Sequence, residues 1–297
     1  MVQAMGVAIV AALLSAVLLT VSTLLIVYQE KLLYIPVVMG YKTILDNPAG
    51  YRSPAEHGHD YKDFYLKTSD GESIHGWHIH RDNPVATIIF CHENAGNIGL
   101  RVTNLIMMAQ RLNCDLVAFD YRGYGHSSGI PSEAGLLVDT HTVYHDYVLK
   151  QEVQRKVILY GRSLGGAVAV QFAAQLANDK RIAGVIIENT FTSIANMLGS
   201  VFPFLNFGLV KKFCLRLKWE TEKWIEHLQT PILLISGLKD EIVPASHMMR
   251  LKSICEKNSV KHTFVSFPDG THNDTWVVGG EAYWKALALF VSDLVAK

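Results

Sequence analysis

Residues 156–177 read KVILYGRSLGGAVAVQFAAQLA, and the fold follows from how this stretch is divided. Lys156 to Tyr160 is a short apolar run of the kind that fills a strand buried on both faces. Leu164 to Ala177 is long enough and apolar enough for a helix packed on a sheet. Between them lies Gly161-Arg162-Ser163-Leu164-Gly165-Gly166, a G-x-S-x-G sequence with no room for a loop. The chain must turn sharply at the serine, and side chains two positions before and after would collide, so glycine stands there. Such a turn lifts the Ser163 hydroxyl clear of the sheet and points the N-terminus of the next helix at whatever that hydroxyl attacks. The competing reading is a Gly/Ser loop without chemistry. The strand before and helix after favour a nucleophile.

Outward from this turn, strands and helices alternate. Asp63 to Lys67 and Ser73 to His80 suggest an antiparallel pair around Ser69-Asp70-Gly71. Further strands are expected at Ala86 to Cys91, Asp115 to Phe119, Ile182 to Ile187, Pro231 to Ser236 and His262 to Phe267. Helices are expected at Ile98 to Leu112, Ser132 to Leu149 (Ser132 as N-cap) and Gly280 to Val295. This order predicts an α/β domain with a mostly parallel central sheet and helices on both faces. No internal repeat or low-complexity segment interrupts it. Between Ile187 and Pro231 the alternation breaks.

The first residues are a different material. Val7 to Val27 carries no charge and no proline, and a run of about 21 such residues spans the hydrocarbon core as a helix. Tyr28, Glu30 and Lys31 follow, as at a membrane interface. A cleaved signal peptide wants a basic start and a shorter apolar stretch, and a core helix is the less favoured reading for a run of this length that is hydrophobic on all sides. The reading is a retained single-pass anchor at 1–30, a linker at 31–60 and a catalytic domain at 61–297. Lys31 and Lys42 beyond the span favour a cytosolic domain.

Composition excludes some partners. With 27 basic and 27 acidic residues, nothing in the charge balance calls for nucleic acid. Cys91, Cys114, Cys214 and Cys255 form no CxxC pair and are read as buried thiols. His75, His78 and His80 crowd one strand, but no third ligand stands at metal-binding spacing, so no metal and no cofactor are expected. The sequon at Asn273-Asp274-Thr275 is read as a chance match.

Two candidate partners for Ser163 lie downstream. Asp240 and Glu241 follow the strand PILLIS, and His272 follows the last strand in PDGTHND. The chain has 13 histidines; position singles out this one. The order nucleophile, acid, histidine and the segment G-x-x-D-x-x-V-P resemble the α/β-hydrolases and favour Asp240 over Glu241. The rival role for either carboxylate is a helix N-cap. In such a triad His272 takes the Ser163 proton, and Asp240 fixes the imidazole tautomer. One oxyanion donor is expected from the N–H of Leu164, the other from the loop His92 to Asn97.

Five ordered segments narrow the resemblance: HENAGNIG (92–99), DYRGYGHSSG (120–129), GRSLGGAVA (161–169), ENTF (188–191) and FPDGTHNDTW (267–276). From about Tyr61 to the C-terminus the chain is similar to α/β-hydrolase domain-containing protein 13 and its bud-emergence-type relatives. That resemblance implies the triad Ser163, Asp240 and His272, with the N–H groups of Asn94 and Leu164 as oxyanion hole. It also implies that the RGYG segment, with Arg122 and Tyr124, fixes a loop. Glu93 departs from the family's glycine, with a carboxylate expected to narrow the pocket, oppose a developing negative charge or turn to solvent.

The resemblance further implies that residues 191–224 form a small cap. Phe191, Phe202, Phe204, Leu205, Phe207, Leu209, Phe213, Leu215, Trp219 and Trp224, with Lys211, Lys212, Arg216 and Lys218 among them, suit either an acyl chain and the bilayer surface or plain packing on the domain. The implied activity is removal of acyl groups from protein thioesters or lipid esters, with an acylated protein or lipid and the membrane as partners. A peptidase of the same fold and a non-catalytic scaffold are the competing readings; Glu188 could be proposed as the peptidase's α-amine partner, but its place in ENTF suggests a loop-fixing role instead.

Overall fold

The computed structural model describes residues 2–151, 155–201 and 215–296. Eight strands form one sheet: β1 (Tyr61–Lys67), β2 (Ser73–Ile79), β3 (Thr87–Cys91), β4 (Asp115–Phe119), β5 (Val157–Arg162), β6 (Ile182–Glu188), β7 (Ile232–Gly237) and β8 (His262–Phe267). Their spatial order is β1-β2-β4-β3-β5-β6-β7-β8. The β1–β2 and β2–β4 pairings are antiparallel and all others parallel. The helices are α1 (Val2–Leu33), α2 (Val102–Leu112), α3 (Glu133–Thr142), α4 (Leu164–Gln175), α5 (Ile194–Val201), α6 (Thr221–Ile225), α7 (Ser246–Lys257), α8 (Thr275–Val278) and α9 (Gly280–Val295).

Alternation along the strands builds two cores. On β3 and β5, Ile89, Cys91, Val157 and Leu159 face one layer, with α4, the cap and α7. Ile88, Phe90, Ile158 and Tyr160 face the other, against α2 and α9. Each aliphatic side chain so buried contributes about 1.5–3 kcal/mol. Helix α4 is buried at every position from Leu164 to Ala173, as a helix without a polar face must be.

The expected Ser132 N-cap is present, its hydroxyl accepting the Gly135 N–H at 3.1 Å. The helix expected to run to Leu149 changes winding after Thr142, through a π turn and a 3-10 turn. The stretch from Ile98 starts as a 3-10 turn before α2.

Helix α1 differs in detail from a straight span. No single helix among the described residues is long and apolar enough to cross a membrane. The pair Ser15–Leu24 and Ile26–Leu33, bent by 50°, passes by length and composition. Its apolar side chains include the exposed Val17, Leu19 and Leu24. The 31–60 segment lies against the domain: Tyr34 and Asn47 are buried. Asn47 and Asn97 exchange side-chain hydrogen bonds of 2.8 and 3.0 Å.

In the cap, Phe191, Leu217 and Trp219 are buried in the α4-side core, which gives these three the packing role. Cys214 and the cap residues Phe202, Phe204, Leu205, Phe207, Leu209, Lys211, Lys212 and Phe213 lie outside the described residues. Cys91, Cys114 and Cys255 are free and buried.

Candidate active site

The parallel strands end at one edge of the sheet, and the residues just past them build the site. Register aligns Cys91 with Gly161, and Arg162 with Glu188. Ser163 sits at φ 52°, ψ −120°, outside the ordinary regions for a non-glycine residue. The space around the turn explains the glycines: a Cβ on Gly161 would lie 2.0 Å from the Gly165 carbonyl oxygen, and one on Gly165 would lie 1.9 Å from that of Cys91. Helix α4 therefore starts directly on the end of β3, and the Leu164 N–H is one of its unpaired first-turn donors.

His272 and Asp240 meet as the sequence suggested. Imidazole Nδ1 lies 2.7 Å from Asp240 Oδ2, with both side chains buried. Asp240 Oδ1 accepts the N–H groups of Ile242 and Val243 at 2.9 and 2.7 Å. The carboxylate thus closes its own loop with one oxygen and holds the histidine with the other. Glu241 instead accepts the His272 backbone N–H at 3.3 Å. Among the described residues, Ser163 Oγ makes no hydrogen bond to the imidazole; such contacts are often long before substrate binds.

Asn189, just past β6, ties the loops together and was not singled out by sequence. Its Oδ1 accepts the Gly237 N–H at 2.8 Å, at the root of the Asp240 loop. Its Nδ2 donates to the carbonyls of Thr271 (3.0 Å) and His272 (3.1 Å) and to Thr275 Oγ1 (3.0 Å). The neighbouring residues grip the serine turn: Ser163 N–H donates to the Glu188 carbonyl at 2.9 Å, and Thr190 Oγ1 donates to the Ser163 carbonyl at 2.6 Å. Asn189 adopts φ 49°, a conformation asparagine tolerates well. The ENTF segment was the available signal; its asparagine is the working part.

Glu93 corrects an expectation. Its carboxylate does not turn to solvent. It is buried, 2.8 Å from Arg101 Nε and 3.1 Å from Arg162 Nη1. Arg162 is in turn 3.1 Å from Glu188, which also accepts hydrogen bonds from Tyr160 and Tyr283. Burial alone would raise the Glu93 pKa, but Arg101 and Arg162 hold it well below the usual glutamate range. His92, beneath the loop, is pushed down to about 4 by burial and stays neutral.

Asn94 carries the loop's other ties. Its carbonyl accepts the Tyr124 hydroxyl at 2.8 Å, and Arg122 pairs with Asp70 and Asp139 at 2.7 and 2.8 Å. Both RGYG residues therefore fix loops, as the resemblance implied. Beside the site a cleft of about 430 Å³ is lined by Val38, Glu93, Arg101, Arg162, Asn273 and Trp276.

Strand pairing also supplies a third potential ligand that the sequence did not reveal. Asp115 lies beside His78 and His80, with one donor atom from each within 4.8 Å of the others. That carboxylate already accepts the Arg81 N–H at 2.9 Å and lies 3.6 Å from Arg155. The group sits at the sheet edge opposite Ser163.

The strand order, with the strained serine after β5, is that of an α/β-hydrolase. Residues 82–224 match the Hydrolase_4 family, serine aminopeptidase S33. The chain is 37% identical to the α/β hydrolase domain-containing protein WAV2 of Arabidopsis thaliana, across 90% of this chain and 89% of that protein. It is 36% identical to protein bem46 of Schizosaccharomyces pombe, across 81% and 80%. A Saccharomyces cerevisiae relative described as an uncharacterized membrane protein, YNL320W, is 35% identical across 89% of each. Among solved structures, the Pyrococcus furiosus esterase Pf2001 superposes with TM-score 0.69 at 18% identity, covering 89% of this chain and 98% of that one. An α/β hydrolase from Vibrio vulnificus does so at 0.63 and 21%, covering 82% of each. The chain belongs to the α/β-hydrolase family of these bud-emergence-type proteins.

Two outcomes follow from the buried groups. Glu93→Gln should destabilise the fold by about 3–5 kcal/mol, because Arg101 and Arg162 lose a buried counter-charge, and Glu93→Gly should do no better. Glu93 is depressed in the folded state, so its stabilisation is complete above the unfolded value of about 4.3 and declines as pH falls below it. Thermal melts at neutral pH, and again between about pH 4.5 and 3, should find the variant's deficit shrinking with acidity. Asn189→Ala should lower kcat about 10²-fold by releasing the histidine and acid loops together. Steady-state kinetics on variant that still melts cooperatively checks this.

Proposed function

We propose that this chain is a membrane-anchored serine hydrolase that cleaves acyl esters or thioesters through a Ser163–His272–Asp240 triad and an acyl-enzyme. The observation that carries the reading is the buried 2.7 Å His272–Asp240 hydrogen bond, on a loop held by Asn189, whose neighbours Glu188 and Thr190 hold the Ser163 turn. In the proposed cycle His272 Nε2 accepts the Ser163 proton as Oγ bonds to the acyl carbon. Asp240 stabilises the imidazolium by holding Nδ1–H. The carbonyl oxygen, now negative, lies against the N–H groups of Leu164 and Asn94. His272 then gives its proton to the departing alcohol or thiol. Water, deprotonated by the same imidazole, attacks the acyl-enzyme and frees the acid and Ser163.

The preference for an acyl chain rests on the apolar composition of the cap and the apolar N-terminal helix whose end adjoins the site. The anchor reading is supported by the bent apolar pair in α1, and Lys31 and Lys42 favour a cytosolic domain. Peptide-bond cleavage is the second reading, favoured by the serine aminopeptidase description of the matched family. Against it, Glu188 is fully buried, with Arg162 Nε 3.1 Å from one carboxylate oxygen and the Tyr160 and Tyr283 hydroxyls donating to the other, a structural setting and not an exposed one for a substrate α-amine.

A fluorophosphonate probe should label the detergent-solubilised chain and not Ser163→Ala; equal labelling of both would overturn the assignment. His272→Ala should lose on the order of 10⁴ to 10⁶ in kcat, and Asp240→Asn about 10⁴. Between p-nitrophenyl esters, palmitoyl-cysteine peptides and aminoacyl amides, the first two should turn over faster; faster amide cleavage reverses the choice of substrate. In sealed microsomes the C-terminus should be open to added protease, and protection would put the domain in the lumen.

A further inference from the structure

The end of the N-terminal helix is hydrogen-bonded to the loop that carries Asn94. The carbonyl of Leu33, the last residue of α1, accepts from Asn94 Nδ2 at 2.9 Å. Two residues on, Ile35 N–H donates to the Asn94 carbonyl at 2.9 Å, and the Ile35 carbonyl accepts the Gly96 N–H at 2.9 Å. Residues 33–35 thus lie beside 94–96 as one rung of parallel sheet, paired Ile35 with Ala95.

The other side of the same segment holds the far end of the cap. Gln29 Oε1 accepts the N–H groups of Arg216 and Leu217 at 2.7 and 2.8 Å. Arg216 reaches the Ile26 carbonyl at 2.9 Å and Glu30 at 2.6 Å. Tyr34 is buried, and its hydroxyl accepts from Trp219 Nε1 at 3.0 Å. Residues 26–35 therefore join the cap's exit to the loop after β3.

The consequence for Asn94 is geometric. Its N–H belongs to the peptide plane it shares with Glu93, whose carbonyl is 2.6 Å from His92 Nδ1. The following plane is fixed by Ile35 and Tyr124 on the Asn94 carbonyl, and the side chain by Leu33. Two of the three groups that orient this residue from outside its own loop come from the helix exit. A buried N–H stabilises an oxyanion only when aimed at where the charge develops, and a displacement near 1 Å is enough to lose much of the rate.

We propose that Leu33–Ile35 is a positioning element of the oxyanion hole, so that the N-terminal helix is part of the catalytic apparatus as well as its tether. This rests on the reading of Asn94 N–H as an oxyanion donor. Neither Leu33 nor Ile35 touches the reacting atoms; both act through Asn94.

The test uses the full chain in detergent, with Ile35→Pro removing one N–H donor and Asn94→Ala removing the side-chain tie while keeping the backbone N–H. Each should lower ester kcat about 10-fold with KM within about twofold. Affinity for a trifluoromethyl ketone, which becomes an oxyanion when Ser163 adds to it, should fall by the same factor as kcat/KM. Affinity for the matching secondary alcohol, which does not, should hold. Wild-type turnover in both variants, or a loss that follows melting temperature with ketone affinity unchanged, overturns the proposal. If the wild type neither labels with fluorophosphonate nor turns over, the hydrolase reading falls and takes this one with it. An active wild type with unaffected variants sinks this one alone.

Discussion

The peptide unit of Ser163 is clamped from one neighbouring strand end, and the site is arranged around that clamp. Its N–H is taken by the Glu188 carbonyl and its own carbonyl by the Thr190 hydroxyl. A serine at φ 52° and ψ −120° stays there only if its surroundings leave it nowhere better to go. The two hydrogen bonds, with helix α4 packed down on Cys91, do that. Between the two clamping residues stands Asn189, whose amide secures the histidine and acid loops. A shift in this three-residue segment would move Ser163, His272 and the root of the Asp240 loop at once.

Beneath the site, charge is handled by pairing. Arg101, Glu93, Arg162 and Glu188 alternate in sign from the cleft inward, with Tyr160 and Tyr283 closing the inner end. Each charge alone would be expensive to bury; in sequence they neutralise one another at contact distance. The arrangement also accounts for two residues whose types looked functional. Glu93 neutralises Arg101 and Arg162 beneath the loop after β3, and Glu188 is committed to Arg162 and two tyrosine hydroxyls. Both carboxylates hold the site's shape.

What could be read from the chain alone divides along a physical line. Strand and helix identity follow local periodicity, so the sheet, the serine turn and the Ser132 cap were legible. Asp240 and His272 were legible because a loop after a buried parallel strand has only one edge to reach. Side-chain direction was not. Whether Glu93 pointed to solvent, pocket or interior depended on Arg101 and Arg162, which reach it through the start of α2 and the end of β5. Asp115 joined His78 and His80 only through a strand pairing that local pattern does not specify. Asn189 was hidden in the same way: its partners lie on β7 and after β8, and nothing near it in sequence marks an asparagine with four such contacts.

The N-terminal segment carries this reasoning furthest. Read by composition it divides cleanly into an apolar run and a linker, and that division treats the catalytic domain as complete without either. The hydrogen bonds do not respect the division. Leu33 and Ile35 of the linker hold Asn94, and Tyr34 holds Trp219, while Gln29 of the apolar run accepts from the Arg216–Leu217 backbone. The exit of the apolar helix is joined both to the loop that carries Asn94 and to the backbone of Arg216 and Leu217, so a movement of that helix reaches both.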